Sequence, residues 1–185
     1  MSEKERQLIK GCMEGDKASQ KQLYLEYGPA IRGICLRYAA TPEEAEDLFH
    51  DTFLFILVNF RRFENITSLQ AWLRRIAVNK AIDHYRKCRR TRQLPLEDLT
   101  CEPAAIDNKT GEETLSMDKL VSFINELPDK YRIAFNLYVI DGMDYDDIVA
   151  KMGETPTNAR TLVFRARNIL QQKIRRYLNH EEYDI

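Results

Sequence analysis

The stretch SLQAWLRRIAVNKAIDHYRKCRRTR, residues 68–92, has a helical pattern with two apolar sides instead of one. At about 100° per residue, Leu69, Trp72, Leu73, Ile76 and Ala77 share one side, and Val78, Ala81, Ile82 and Tyr85 share nearly the opposite one. A helix of this kind needs neighbours on both flanks, so the segment must run through the middle of a helical domain. Between the stripes lies a third face with Arg75, Asn79, Asp83, Arg86 and Arg90. Three guanidinium forks beside an amide and a carboxylate suit contact with a polyanion.

Elsewhere helical periodicity also dominates, and no segment alternates polar and apolar residues for long enough to argue for a sheet. The expected fold is all-α. A short helix near residues 3–13 precedes one from about 17 to 38, and Thr41, Pro42 and Glu44 supply the cap, first-turn proline and capping-box acid of a third. Residues 93–111, QLPLEDLTCEPAAIDNKTG, contain two prolines, scattered acids and no periodicity, as a flexible acidic linker does. Two small helical domains are therefore expected, at 1–92 and 112–185. In the second, helices end at Pro128, run from about Asp129 to Asp141, and continue with Asp144–Met152 and a last helix opened by Thr155 and Pro156.

The net charge of −1 conceals blocks of opposite sign. Residues 61–92 hold ten Lys/Arg against two Asp/Glu, residues 93–130 three against nine, and residues 151–176 seven against one. Two basic blocks around an acidic one make nucleic acid a serious candidate partner. No apolar run approaches the roughly 18 residues of a membrane span, and MSEKERQLIK is too charged for a signal peptide, so a cytoplasmic protein without membrane insertion is expected. Cys12, Cys35, Cys88 and Cys101 fit no CxxC spacing and read as reduced structural thiols. No phosphate loop, catalytic triad or nucleophilic-cysteine signature is present, so neither enzyme chemistry nor a cofactor is expected.

Residues 144–168 have the dimensions of a helix-turn-helix. Ala159, Leu162, Val163, Ala166 and Leu170 cluster inward, leaving Phe164 among Arg160, Thr161, Arg165 and Arg167. Arginines for guanine edges and phosphates, with an apolar group for thymine methyls, suit a major groove; a packing hairpin with a solvated basic side is the rival reading. On the third helix, Asp47-x-x-His50 superficially matches half of a carboxylate-bridged metal site, but the second acid-x-x-His pair such a site needs is missing, and no metal is expected there. The same acids suit either a docking surface for a basic partner or simple solubility.

In order along the chain, LYLEYGPAI, AEDLFHDTF, FRRF, WLRRIAVNKAIDHYRK and then LPDKYRIAFNLYVIDGMDYDDIVAKMGETPTNARTLVFRARNIL resemble the bacterial RNA polymerase sigma factors of the extracytoplasmic-function (ECF) group. The resemblance covers nearly the whole chain. It implies a protein that binds core RNA polymerase, directs it to promoters and helps open them, without catalysing a covalent reaction. Asp47, His50 and Asp51 would dock on the polymerase clamp. Asn65, Ile66, Thr67 and Ser68 would line a pocket for single-stranded minus-10 DNA, with Asn79 and Asp83 near bases and Arg74, Arg75, Lys80 and Arg86 on phosphates. Tyr145, Arg160, Thr161, Phe164, Arg165 and Arg167 would read the duplex minus-35 element. The surface around Ile133, Phe135 and Leu137 would either cradle the polymerase flap or belong to the core. Many relatives are restrained by an anti-sigma factor. A self-sufficient helix-turn-helix regulator is the alternative reading.

Overall fold

The computed structural model describes residues 2–60, 67–91 and 115–179 and divides the chain into two compact units, 1–90 and 91–185. The linker expected at 93–111 and the loop residues Asn65 and Ile66 lie outside the described residues. Every described element is helical, with no strand among these residues.

The first unit contains α1 (Glu3–Glu14), α2 (Lys17–Tyr38), α3 (Pro42–Asn59) and α4 (Leu69–Thr91). Polar side chains set the helix starts. The hydroxyl of Ser2 and the carboxylate of Glu5 form a reciprocal capping box at α1, Asp16 accepts from the Ser19 N–H at α2, and Thr41 accepts from the Glu44 N–H at α3. α1 packs on α2 and α2 on α3. Gly11 permits the first contact: a Cβ there would meet the Ser19 hydroxyl at 2.1 Å. Leu23, Ile31, Cys35, Ala45, Phe49 and Ile56 fill the core between α2 and α3.

Both stripes of α4 are buried, from Leu69, Trp72, Leu73, Ile76 and Ala77 on one side to Val78, Ala81, Ile82 and Tyr85 on the other. From the first stripe Trp72 reaches Phe60, the residue that follows α3, and from outside both stripes Lys80 reaches α3 itself. Trp72 meets Phe60 with ring centroids 5.2 Å apart, and the Lys80 ammonium lies 3.8 Å from the centroid of Phe55.

The second unit contains α5 (Met117–Asn125), α6 (Asp129–Phe135), a π-helical stretch over Asn136–Ile140, α7 (Tyr145–Met152) and α8 (Pro156–Leu178). A single helix over 129–141 was expected; instead the chain widens after Phe135, and the Asp141 N–H donates to the Asn136 carbonyl five residues back. α5, α6 and α7 all pack on α8. Arg132 is 3% exposed and closes the end of α5, its Nη1 donating to the carbonyls of Asn125 and Leu127 and its Nη2 to Asp129. Ile133 and Leu137 are fully buried, so these two belong to the core and not to a flap-binding surface; Phe135 is half-buried.

Candidate nucleic-acid interface

The helix-turn-helix geometry follows from its caps. The Asp144 carboxylate accepts from the Asp147 N–H to start α7, and Gly153, at φ +68°, ends it in the left-handed region that a side chain rarely adopts. Thr155 then accepts from the Asn158 N–H with Pro156 at the first helical position of α8. The turn is pinned from both sides. Glu154, 9% exposed at its side chain, accepts from Asn158 Nδ2 at 2.5 Å and pairs with Lys130 of α6 at 3.7 Å.

On α8, Ala159, Leu162, Val163, Ala166 and Leu170 are buried, and Arg160, Phe164 and Arg167 are exposed along one line. Phe164 is 57% exposed and stands between the two arginines. Tyr138 and Tyr145 stack at 4.5 Å beside this line, with the Arg160 guanidinium 5.6 Å from the Tyr145 centroid and that of Arg167 5.3 Å from Tyr138. Burial raises the Tyr145 phenol above its ordinary pKa, aided by the hydrogen bond with Tyr138 and opposed by the two arginines. Tyr138 is a member of this cluster that the sequence pattern did not single out, because its place depends on the π-helical stretch. Arg165 departs from the group: it is half-buried and Nη1 donates to the Tyr131 hydroxyl at 3.4 Å. Thr161 flanks the line, its hydroxyl donating to the Thr157 carbonyl at 2.9 Å.

On α4, Arg74, Arg75, Asn79, Asp83 and Arg86 are exposed, as are Thr67 and Ser68 just ahead of it. Ser68 already has a structural task, accepting from the Ala71 N–H at 3.3 Å to cap the helix. Lys80 is drawn aside over Phe55 and is only half-exposed.

On α3, Asp47, His50 and Asp51 are exposed, and Leu54 and Val58, 60% and 76% exposed, continue the Asp47–Asp51 line down the helix. The apolar pair was missed because the buried stripe of α3 absorbs most of the helix's hydrophobic residues and leaves these two looking incidental. Glu46 beside them is half-buried and bound to Arg32 at 2.5 Å; that hydrogen bond and charge lower its pKa. Among the described residues, Asp47 and His50 belong to no group of three metal-ligating side chains. The three-ligand group found among the described residues is instead Glu44, His84 and Cys88. Glu44 Oε1 accepts from His84 Nε2 at 2.8 Å and from the Cys88 thiol at 3.7 Å, while Oε2 accepts from the Ala40 N–H at 2.7 Å. Burial raises the Glu44 pKa, but the His84 and Ala40 hydrogen bonds outweigh it and leave the carboxyl below its ordinary range.

One helical unit with a charged, partly apolar face and a second carrying a helix-turn-helix with an arginine-rich recognition helix define a two-part DNA-binding protein. Among the described residues no helix is long and apolar enough to cross a membrane. The sigma-70 region 2 model matches residues 23–91 and the sigma-70 region 4 model residues 117–170. The chain belongs to the sigma-70 family, as an ECF-type sigma factor. It is 27% identical over 184 residues to the RNA polymerase sigma-H factor of Pseudomonas aeruginosa, covering 93% of this chain and 94% of that one. It is 28% identical to the ECF sigma factor SigW of Bacillus subtilis, with 90% and 95% covered. The crystal structure of the sigma factor RpoE in complex with the anti-sigma factor NepR from Bartonella quintana is similar at a TM-score of 0.51 and 28% identity, with 84% and 96% covered.

Proposed function

We propose that the chain is a transcription initiation subunit that binds core RNA polymerase and directs it to promoters, catalysing no covalent reaction and acting in the cytoplasm. The observation that carries this reading is the presence of sigma-70 regions 2 and 4, in that order, in one chain. In this scheme residues 1–92 dock on the polymerase and hold melted DNA, 93–111 connect, and 112–185 hold duplex DNA. The stripe Asp47, His50, Asp51, with Leu54 and Val58, offers a basic and partly apolar partner both charge and contact area. Open DNA is held because bases leaving the stack need replacement contacts. Asn79 and Asp83 offer hydrogen bonds, Arg74, Arg75, Lys80 and Arg86 phosphate contacts, and the segment Asn65, Ile66, Thr67 and Ser68 the base pocket. Duplex minus-35 DNA is read by Arg160, Phe164 and Arg167 beside Tyr145, flanked by Thr161; Arg165, tied to Tyr131, contributes from the rim. An anti-sigma factor is the expected antagonist, by similarity to the RpoE–NepR complex.

The test is in vitro transcription with core polymerase, with start sites sequenced. Arg160→Ala should weaken promoter binding by about 1–3 kcal/mol, with loss confined to minus-35-dependent promoters and core binding kept. Asn79→Ala should reduce permanganate reactivity of the melted region while docking persists. Tight binding of a palindromic duplex by the protein alone, without stimulation by core polymerase, would overturn the assignment and favour a self-sufficient regulator.

A further inference from the structure

The Glu44–His84–Cys88 group plays no part in the function proposed above. It joins the first turn of α3 to the last turns of α4, with His84 and Cys88 four residues apart and so on one helical face. Sγ of Cys88 lies 3.4 Å from Nε2 of His84 and 3.7 Å from Oε1 of Glu44, and the Nε2–Oε1 separation is 2.8 Å. All three ligand atoms thus surround one point. A tetrahedral zinc ion, with bonds of about 2.3 Å to sulfur and about 2.0–2.1 Å to nitrogen and oxygen, sets its S···N and S···O edges at about 3.5 Å and its N···O edge at about 3.3 Å. Both sulfur edges already fit that tetrahedron within a few tenths of an ångström, and a rotamer adjustment of His84 opens the third.

Two further features suit a metal. The second oxygen of Glu44 accepts from the Ala40 N–H, which fixes the carboxylate and leaves Oε1 directed at the other two ligands, the outer-shell support that ligating carboxylates usually have. The side chains are partly covered, Glu44 at 20% and His84 at 31% exposure, so a fourth ligand position remains open to water. Thiolate, imidazole and carboxylate together favour a borderline ion such as zinc over calcium or magnesium, which take oxygen ligands alone.

We propose that Glu44 Oε1, His84 Nε2 and Cys88 Sγ form a Zn(II) site that cross-braces the start of α3 to the end of α4. Binding releases the Cys88 thiol proton to solvent and leaves the thiolate on the metal. The test is made on metal-stripped full-length protein under reducing conditions, without polymerase or DNA, so its failure leaves the initiation-factor reading untouched. Titration of Zn(II) against a chromophoric chelator should show one equivalent bound, and Co(II) should produce a thiolate-to-metal charge-transfer band. Cys88→Ala should abolish that band and weaken Zn(II) by on the order of a hundredfold or more, since even outer-shell partners shift affinity by roughly tenfold to a hundredfold. His84→Gln, checked for native helicity by circular dichroism, should weaken Zn(II) comparably while keeping a weakened sulfur band. Absence of stoichiometric Zn(II) binding by the unmodified protein, or the same affinity and Co(II) spectrum in Cys88→Ala, would overturn the proposal.

Discussion

Arg132 offers a sharp test of how the second unit holds together. At 3% exposure it carries a charge in the core, and its side chain serves the C-terminal end of α5, where backbone carbonyls lack helical partners. Its Nη1 reaches the carbonyls of Asn125 at 3.2 Å and Leu127 at 3.1 Å, and Nη2 reaches Asp129 at 2.7 Å. Hydrogen bonds from a charged donor contribute about 1.5–3 kcal/mol each. The Asp129 contact is discounted to below about 1 kcal/mol because that side chain is 39% exposed. In Arg132→Met the two carbonyls lose their donor while the new side chain fills similar space, so the expected loss is about 3–4 kcal/mol. Arg132→Lys keeps the charge but cannot span both carbonyls and the carboxylate from one ammonium, and should lose about 1–2 kcal/mol. Urea unfolding followed by far-ultraviolet circular dichroism measures the effect. Trp72, the chain's one tryptophan, lies in the first unit and gives an internal control, since its fluorescence transition should stay in place. A loss below about 1 kcal/mol in Arg132→Met, or equal losses in the two variants, would refute the account.

Burial pushes the Cys35 thiol up to about 12 and that of Cys12 to about 11, so neither should react with iodoacetamide at pH 8 until the protein is unfolded; mass spectrometry of native and denatured samples checks this. Glu126 is held below its ordinary pKa by the hydrogen bond from Lys173 of α8, against the opposing effect of burial. A depressed folded-state pKa stabilises above the ordinary carboxylate value and is lost as pH falls through the folded one, so the stability difference between wild type and Glu126→Gln should shrink on acidification below about pH 4.5. A difference that grew in acid would contradict the pairing. Gly153→Ala forces a side chain into the left-handed region at φ +68° and should cost about 1 kcal/mol, read from the same urea transitions.

The helix starts were legible at Thr41 and Thr155, where a short polar residue precedes a first-turn proline, because capping is local chemistry between residues three apart; Asp144, read as the first helical residue, is instead the cap of α7. Both stripes of α4 were legible for the same kind of reason: periodicity reports burial directly. What escaped depended on distance along the chain. Glu44 and His84 are 40 residues apart, and nothing in either neighbourhood announces the other. The π-helical stretch also escaped, since widening a helix by one residue depends on what packs against it and not on a propensity of Asn136–Ile140. Arg165 looked like its neighbours in the arginine pattern, and only the approach of α6 to α8 brings Tyr131 to it.

Arg160 and Arg167 of the recognition helix are placed differently from Arg32 of the first unit. Arg32 is held by Glu46, so its charge is already answered, and anything anionic arriving there must first displace a carboxylate. Arg160 and Arg167 rest instead beside the rings of Tyr145 and Tyr138, uncharged platforms that restrict the guanidinium without neutralising it. A side chain restrained before its partner arrives loses less rotamer freedom on binding, and one that keeps its full charge still releases a counterion when it meets a phosphate. The tyrosine pair therefore lets these two side chains be both restrained and fully charged, two properties that an acidic neighbour would have set against each other.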